Sequence, residues 1–162
     1  MIKIIKNILT NKERKQLIEY SKPLLLTGEQ LNQGSGTSDY PPSKQTRSGL
    51  YKNDKFKPII DKILYRIKKE INIDLGVDKV WINCNRGRKE EQCWHIHPSG
   101  YAMVYYIKTF PFLNNGTCFR HRFVKAPQNS MLIFPAYMEH SVPSYPFNFE
   151  RYTLSMDLNI VK

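Results

Sequence analysis

Residues 93–106, CWHIHPSGYAMVYY, combine a closely spaced histidine pair with the start of an alternating, β-rich run. The chain has 4 histidines among 162 residues, and two of them, His95 and His97, stand one residue apart. In a β-strand, residues i and i+2 project from the same face of the sheet. The pair is therefore either a feature of surface composition or two ligands of one metal ion.

From Val77 onward the sequence alternates with a period of two and is rich in β-branched and aromatic residues. Strands are predicted at KVWINCN, YAMVYYI, TCFRHRFV, SMLIFP and RYTLSMDLNI, with turns such as FPFLNNG between them. Several short strands behind a helical front predict an antiparallel double sheet of the jelly-roll or cupin-like kind. Tyr105 and Tyr106 then point to opposite faces, so at most one of them enters the barrel.

Two helices are predicted to flank this mostly β core. Thr10 followed by Glu13 has the spacing of a capping box, which predicts the start of the first helix. Isoleucines and leucines at helical spacing predict a second, amphipathic helix, with Asp54 as its N-cap and Gly76 as its stop.

Residues 28–49 lie between the helices and show no periodicity. They are predicted to form a long loop that borders the mouth of the site and becomes ordered when a ligand binds. The chain as a whole is predicted to be one domain, 1–162, with helical support and the loop in 1–76 and the β core in 77–162.

A third histidine and an arginine follow in the β-rich half. His140 lies in LIFPAYMEHSVPS, and Arg151 follows 11 residues later in ERYTLSMD. A hairpin centred near Tyr145 and Pro146 would place these two residues opposite each other, about 5 Å apart. A metal-binding histidine beside a fixed guanidinium suits a co-substrate that chelates the metal at one end and carries a carboxylate at the other.

The order of the segments WINCN, HIHP, VYYI, SMLIFPAYMEHSV and ERYTLSMDLNI resembles that of the double-stranded β-helix oxygenases that use Fe(II) and 2-oxoglutarate. The resemblance covers about residues 80–160 and is greatest to the small oxygenases of bacteriophages and marine bacteria. It implies a double-stranded β-helix core and a hydroxylase that consumes O₂ and 2-oxoglutarate. The substrate stays open among a protein side chain, a nucleobase and a metabolite.

The resemblance also implies roles for individual residues. The implied Fe(II) ligands are His95, His97 and His140, and the implied 2-oxoglutarate contacts are Arg151, Thr153 and Tyr106. His97 stands where most members of the wider superfamily have Asp or Glu. Three neutral imidazoles leave the full charge of the dication, whereas a carboxylate ligand would neutralise one unit of it.

Two other functions are left open by the sequence. One is a cupin-like metal dioxygenase with three histidine ligands and no 2-oxoglutarate. The other is a non-catalytic nucleic-acid-binding module, an alternative that the net charge of +11 suggests because nucleic acids are polyanions. That second alternative is not favoured, because 16 of the 25 Lys and Arg residues are spread over residues 1–80 and the β-rich half has no basic stripe with interleaved aromatics.

Composition also bears on location. No apolar run approaches the roughly 18 residues needed to span a bilayer, so no membrane partner is expected. The 3 cysteines show no paired spacing, which argues against a disulfide framework. The cytoplasm is therefore the expected location, and it would be the host cytoplasm if the gene is carried by a phage.

Overall fold

The structure, a computed structural model, describes residues 1–32, 44–86, 94–113, 115–143 and 149–161. Within these ranges the chain forms three α-helices and nine β-strands. The helices are α1 (Asn11–Ser21), α2 (Gly28–Asn32) and α3 (Lys57–Ile71). The strands are β1 (Lys3–Lys6), β2 (Lys44–Gln45), β3 (Leu75–Asn85), β4 (Tyr101–Lys108), β5 (Gly116–Phe119), β6 (Arg122–Lys125), β7 (Ser130–Pro135), β8 (His140–Ser141) and β9 (Arg151–Ile160).

The strands form two antiparallel sheets. One has six strands in the order β1-β7-β4-β9-β3-β2, and the other has three in the order β6-β5-β8. Their inner faces contact each other: the rings of Phe119 and Phe134 pack edge to face with centroids 5.0 Å apart, and the hydroxyls of Tyr106 and Thr117 are 2.6 Å apart. This arrangement confirms the predicted double-stranded β-helix core.

The outer face of the six-stranded sheet packs against the helices. Strand alternation sends one set of side chains outward to this layer and the other into the barrel. Tyr105 belongs to the outer set and Tyr106 to the inner one, as the alternation predicts. The main apolar side chains of the helix–sheet layer are Leu17, Phe56, Ile60, Ile63, Ile67, Val80, Ile82, Met103, Tyr105, Ile107, Leu154 and Met156.

The helix boundaries confirm one prediction and correct another. Thr10 and Glu13 form the predicted capping box at the start of α1. Helix α3, however, has Phe56 rather than Asp54 at its N-cap, because the Phe56 side chain is fully buried and Pro58 stands in the first turn. It ends at Ile71, and its C-cap is Asn72 rather than Gly76, because the backbone of Asn72 turns into the left-handed region with a φ of 54°.

Two further segments differ from the sequence-based predictions. The run TCFRHRFV is a tight hairpin of β5 and β6 rather than one strand, because Phe119 pairs with Arg122 and leaves Arg120 and His121 in an exposed turn. The predicted loop 28–49 is ordered at both ends, where α2 forms and β2 pairs with β3. Its central part, residues 33–43, lies outside the described residues.

Among the described residues, no helix combines the length and the apolar character that crossing a lipid bilayer requires.

Asn129 ties the N-terminal segment to the sheet that carries the site. Its side-chain oxygen accepts hydrogen bonds from the Leu9 N–H at 3.0 Å and the Tyr105 hydroxyl at 2.7 Å. Its side-chain nitrogen donates to the Leu9 carbonyl at 2.8 Å. The residue has a φ of 61°, which asparagine tolerates better than most residues with a Cβ. One amide thus fastens the start of α1 to β4.

Two substitutions at Asn129 should separate the contribution of its side-chain hydrogen bonds to stability from the contribution of its backbone conformation. Asn129→Gly loses the three side-chain hydrogen bonds and should lower the free energy of unfolding by about 2–4 kcal/mol. Asn129→Ala should cost about 1 kcal/mol more, because alanine is strained at positive φ. Chemical denaturation measures both, with the exposed Lys125→Ala as control. Equal stabilities for the two Asn129 variants would contradict the strain argument.

Candidate metal centre

The segment that carries His95 and His97 runs antiparallel to the segment 136–140. The N–H of His95 donates to the His140 carbonyl at 3.1 Å, and the N–H of His140 donates to the His95 carbonyl at 3.0 Å. The His97 N–H donates to the Ala136 carbonyl at 3.0 Å. This pairing keeps the first segment extended, so the side chains of residues i and i+2 turn to the same side.

The three histidines selected from the sequence meet inside the barrel. The ring centroids of His95 and His140 are 4.3 Å apart, and His97 lies 5.1 Å from each of them. One ring nitrogen from each residue lies within 4.8 Å of the others, so the group could hold a metal ion. The fourth histidine, His121, is exposed in the β5–β6 turn and takes no part.

His140 is held as a neutral imidazole with its Nε2 available. Its Nδ1 lies 2.9 Å from the Met138 carbonyl oxygen. A carbonyl only accepts hydrogen bonds, so Nδ1 carries the proton and Nε2 has a lone pair. Burial, with a further contribution from His95, lowers the pKa of His140 to about 4. The charged form is therefore disfavoured at neutral pH.

His97 also turns its Nε2 toward the other histidines, for a different reason. Its Nδ1 lies 2.9 Å from an oxygen of Asp157, whose side chain is buried. A carboxylate repels a lone pair at this distance, so Nδ1 is a protonated nitrogen and Nε2 is the nitrogen that a metal ion would take. The contact is short but poorly aligned, since no hydrogen bond of good geometry reaches that oxygen from the described residues.

The two Nε2 atoms, from His97 and His140, are 3.3 Å apart. At this distance the two nitrogens can share a proton in a hydrogen bond or bind one metal ion between them. Two nitrogens bound to one metal at about 2.1 Å and at right angles would be about 3.0 Å apart. The spacing of this pair therefore fits two ligands of one divalent metal ion, and the ligand atom of His95 lies within 4.8 Å of both.

The inner face of β9 leads away from these histidines and is polar along its length. Arg151, Thr153, Ser155 and Asp157 all belong to this face, and each is buried. The Asn83 amide of β3 donates to Ser155 at 3.2 Å and reaches Thr153 at 3.5 Å. The odd-numbered positions of RYTLSMD are the sequence signal for this stripe, and it would have identified Asp157, which the sequence analysis missed.

Arg151 lies at the other end of the stripe from Asp157. Its side chain is only 2 % exposed, its Nη1 donates to the Asn85 side-chain oxygen at 3.3 Å, and its guanidinium lies 5.2 Å from the Tyr106 ring centroid. Tyr106 is the cross-strand partner of Thr153 on β4. The three residues implied as co-substrate contacts are thus neighbours on one inner surface.

The predicted hairpin between His140 and Arg151 is wrong. His140 lies in β8 of the three-stranded sheet, where it pairs with Phe119. Arg151 lies in β9 of the six-stranded sheet, opposite Asn85 of β3. The chain crosses from one sheet to the other between them because β8 already has partners on both sides, β5 and the His95 segment. The turn residues 144–148 lie outside the described residues.

The histidines and part of the polar stripe line one small cavity, with a volume of about 30 Å³. Hydroxyl and amide groups line one part of its wall, and apolar side chains line the rest. The lining residues are Trp81, Asn83, His95, His97, Ala102, Met103, Val104, Thr117, His140, Val142, Thr153, Ser155 and Met156.

Solved structures share this fold. No protein-family profile matches the chain, and no curated protein sequence is significantly similar to it. A prolyl hydroxylase from Trichoplax adhaerens, in complex with a fragment of the hypoxia inducible factor oxygen degradation domain, is 18% identical with a TM-score of 0.65, over 97% of this chain and 82% of that one. HygX from Streptomyces hygroscopicus, with nickel and 2-oxoglutarate bound, is 8% identical with a TM-score of 0.68, again over 97% and 82%.

A third solved structure of similar fold is described as an epimerase rather than a hydroxylase. SnoN, a non-heme alpha-ketoglutarate-dependent epimerase from nogalamycin biosynthesis, is 10% identical with a TM-score of 0.72, over 97% of this chain and 76% of that one. At such low identities the likeness establishes the fold alone. The chain has the double-stranded β-helix fold of the 2-oxoglutarate- and iron-dependent oxygenases to which it is similar.

The lowered pKa of His140 should make the metal-free protein sensitive to acid. Between the ordinary value of 6.5 and the folded value of about 4, the unfolded chain binds a proton that the folded chain does not. The free energy of unfolding should therefore decrease as the pH is lowered through this window, by at most about 3 kcal/mol from this group.

Denaturation of the metal-free protein at pH 7, 5.5 and 4 measures the effect. His140→Asn should flatten the pH dependence, while His121→Asn, at an exposed position, should leave it as in the wild type. An unchanged slope in the His140 variant would contradict the assignment.

Proposed function

We propose that this chain is an Fe(II)- and 2-oxoglutarate-dependent oxygenase, in the first instance a hydroxylase. The observation that carries the proposal is the pair of opposed Nε2 atoms of His97 and His140, 3.3 Å apart, with His95 beside them. We assign these three histidines as the iron ligands. Imidazole nitrogens suit ferrous iron, and three of them leave coordination positions for a chelating co-substrate and O₂.

In this proposal, Arg151 receives the far carboxylate of 2-oxoglutarate, assisted by Thr153 and Tyr106. A guanidinium offers five N–H donors in a planar fork that matches a carboxylate. Arg151 and Thr153 are each 2 % exposed, and Tyr106 is fully buried. A charge-assisted bond formed there is protected from water and gains strength in the low dielectric of the barrel.

The protein's own contribution is to bind, orient and exclude water. The bound iron and 2-oxoglutarate would supply the oxidising chemistry, with O₂ consumed and succinate and CO₂ released. The backbone pairing of His95 with His140 holds two ligands at a fixed spacing, and the Met138 carbonyl keeps the His140 proton away from the metal side. The apolar part of the cavity wall limits solvent near the reacting atoms.

The substrate class remains open within this proposal. Among proteins of similar fold, the Trichoplax enzyme is described with a peptide and SnoN as an epimerase. These comparisons support both a protein side chain and a small metabolite as candidates, and a nucleobase is a third. The assignment to the phage and marine-bacterial subgroup, the single domain 1–162 and the cytoplasmic location are part of the proposal and rest on the sequence pattern.

A metal dioxygenase without 2-oxoglutarate is a second candidate, because the ligand group consists of three histidines and contains no carboxylate. The two enzymes differ in one measurable property. Under anaerobic conditions, Fe(II) followed by 2-oxoglutarate should produce the weak visible charge-transfer band of the chelate if the first proposal is right. Iron binding at one equivalent without that band would favour the second.

Arg151→Ala should weaken 2-oxoglutarate binding by about 30- to 5000-fold, since removing a guanidinium from a buried carboxylate costs about 2–5 kcal/mol. Arg151→Lys should recover only part of the affinity, because an ammonium lacks the fork. Anaerobic calorimetry on the iron-loaded protein measures both variants.

Arg122→Ala is the matched control, since Arg122 lies on β6 with an exposed side chain. It should bind 2-oxoglutarate like the wild type. Iron affinity should be unchanged in all three variants. If Arg151→Ala binds 2-oxoglutarate as tightly as the wild type, the role assigned to Arg151 is wrong.

The net charge of +11 should have little part in catalysis. Binding to generic duplex DNA is expected to be weak and to fall steeply as salt is raised, since it would depend on counterion release. Fluorescence anisotropy at several salt concentrations measures it. Tight, sequence-selective binding at physiological salt would instead favour the nucleic-acid-binding module.

A further inference from the structure

Asp157 is the one carboxylate found in contact with the three-histidine group among the residues that the structure describes. Its side chain is 3% exposed, and its Oδ1 lies 2.9 Å from Nδ1 of His97. Its cross-strand neighbour on β4 is Ala102, whose small side chain leaves room for this contact on the inner face. Burying a carboxylate is costly unless a cation or several donors compensate it.

We propose that Asp157 is a positioning residue of the metal centre, which aims the Nε2 of His97 at the metal and supplies the negative charge that three imidazole ligands lack. This inference rests on the function proposed above. In this role Asp157 does not bind the metal itself. Its carboxylate contacts the nitrogen of His97 that faces away from the metal.

The first part of the argument concerns orientation. An imidazole can rotate or exchange tautomers, and either change would turn an N–H toward the metal. The Trp81 ring, whose centroid is 5.8 Å from that of His97, offers no acceptor that would distinguish the two nitrogens. Only an acceptor behind Nδ1 makes that distinction, and an oxygen of Asp157 lies 2.9 Å from Nδ1, within reach of its proton after a small realignment.

The second part concerns charge. A dication with three neutral ligands keeps a charge of +2, and a carboxylate in contact with one of those ligands reduces the local total to +1. A carboxylate behind a histidine also raises the basicity of the ligating nitrogen. Asp157 therefore compensates for the absence of a carboxylate ligand in the His95, His97 and His140 group.

Calorimetric titration with Fe(II) under anaerobic conditions tests the proposal. Asp157→Ala should weaken Fe(II) binding by about 10- to 100-fold. Asp157→Asn should fall between that variant and the wild type, because its amide oxygen still accepts the Nδ1 proton but carries no charge. Asp74→Asn removes the same charge from an exposed position and should bind Fe(II) like the wild type.

A metal-free measurement separates positioning from a general structural effect. In ¹⁵N NMR spectra of the metal-free protein, His97 should carry its proton on Nδ1 in the wild type and in Asp157→Asn. Asp157→Ala should show a mixture of the two tautomers. Thermal unfolding of each variant shows that it is folded under the conditions used.

The outcomes distinguish a failure of the proposed function from a failure of the role proposed for Asp157. If the wild type binds no Fe(II), the proposed function fails and the inference fails with it. If the wild type binds Fe(II) and Asp157→Ala binds it within twofold, only the inference is overturned. A loss of affinity with no change in the His97 tautomer would also remove the positioning role.

Discussion

Strand β9 is hydrogen-bonded along both edges, to β3 and to β4, and the site depends on how its side chains alternate. The even-numbered side chains from 152 to 158 are apolar or aromatic and pack in the layer beneath the helices. The odd-numbered ones from 151 to 157 are polar and face the second sheet. A slip of one residue would exchange the two sets. Burial of the apolar set, at about 2 kcal/mol for each side chain, therefore determines which polar groups enter the barrel.

The three-stranded sheet positions two of the three histidines of the site. It contributes His140, and through the backbone bridge to that residue it also fixes His95. The contact of Asp157 with His97 then connects this histidine group to the polar stripe of β9. The candidate site thus lies between the two sheets. Its geometry depends on how the sheets pack against each other.

The buried polar groups at this place reduce stability unless they have partners. Apolar side chains of similar size would often be at least as favourable as buried charges such as Arg151 and Asp157. Proteins depart from the most stable choice mainly at functional sites. Solved structures of similar fold are described as a prolyl hydroxylase and as an epimerase, so this fold by itself does not specify a reaction.

The sequence by itself determined the β-rich core, the capping box at Thr10, the opposite orientations of Tyr105 and Tyr106, and the choice of the three histidines that meet. These features follow from short-range periodicity, which the backbone geometry of strands and helices imposes directly. Only the tertiary structure decided that His140 and Arg151 lie in different sheets and that Asp157 stands behind His97. Local patterns specify which face of a strand a residue occupies, whereas the pairing of distant strands is selected by the burial of the whole chain.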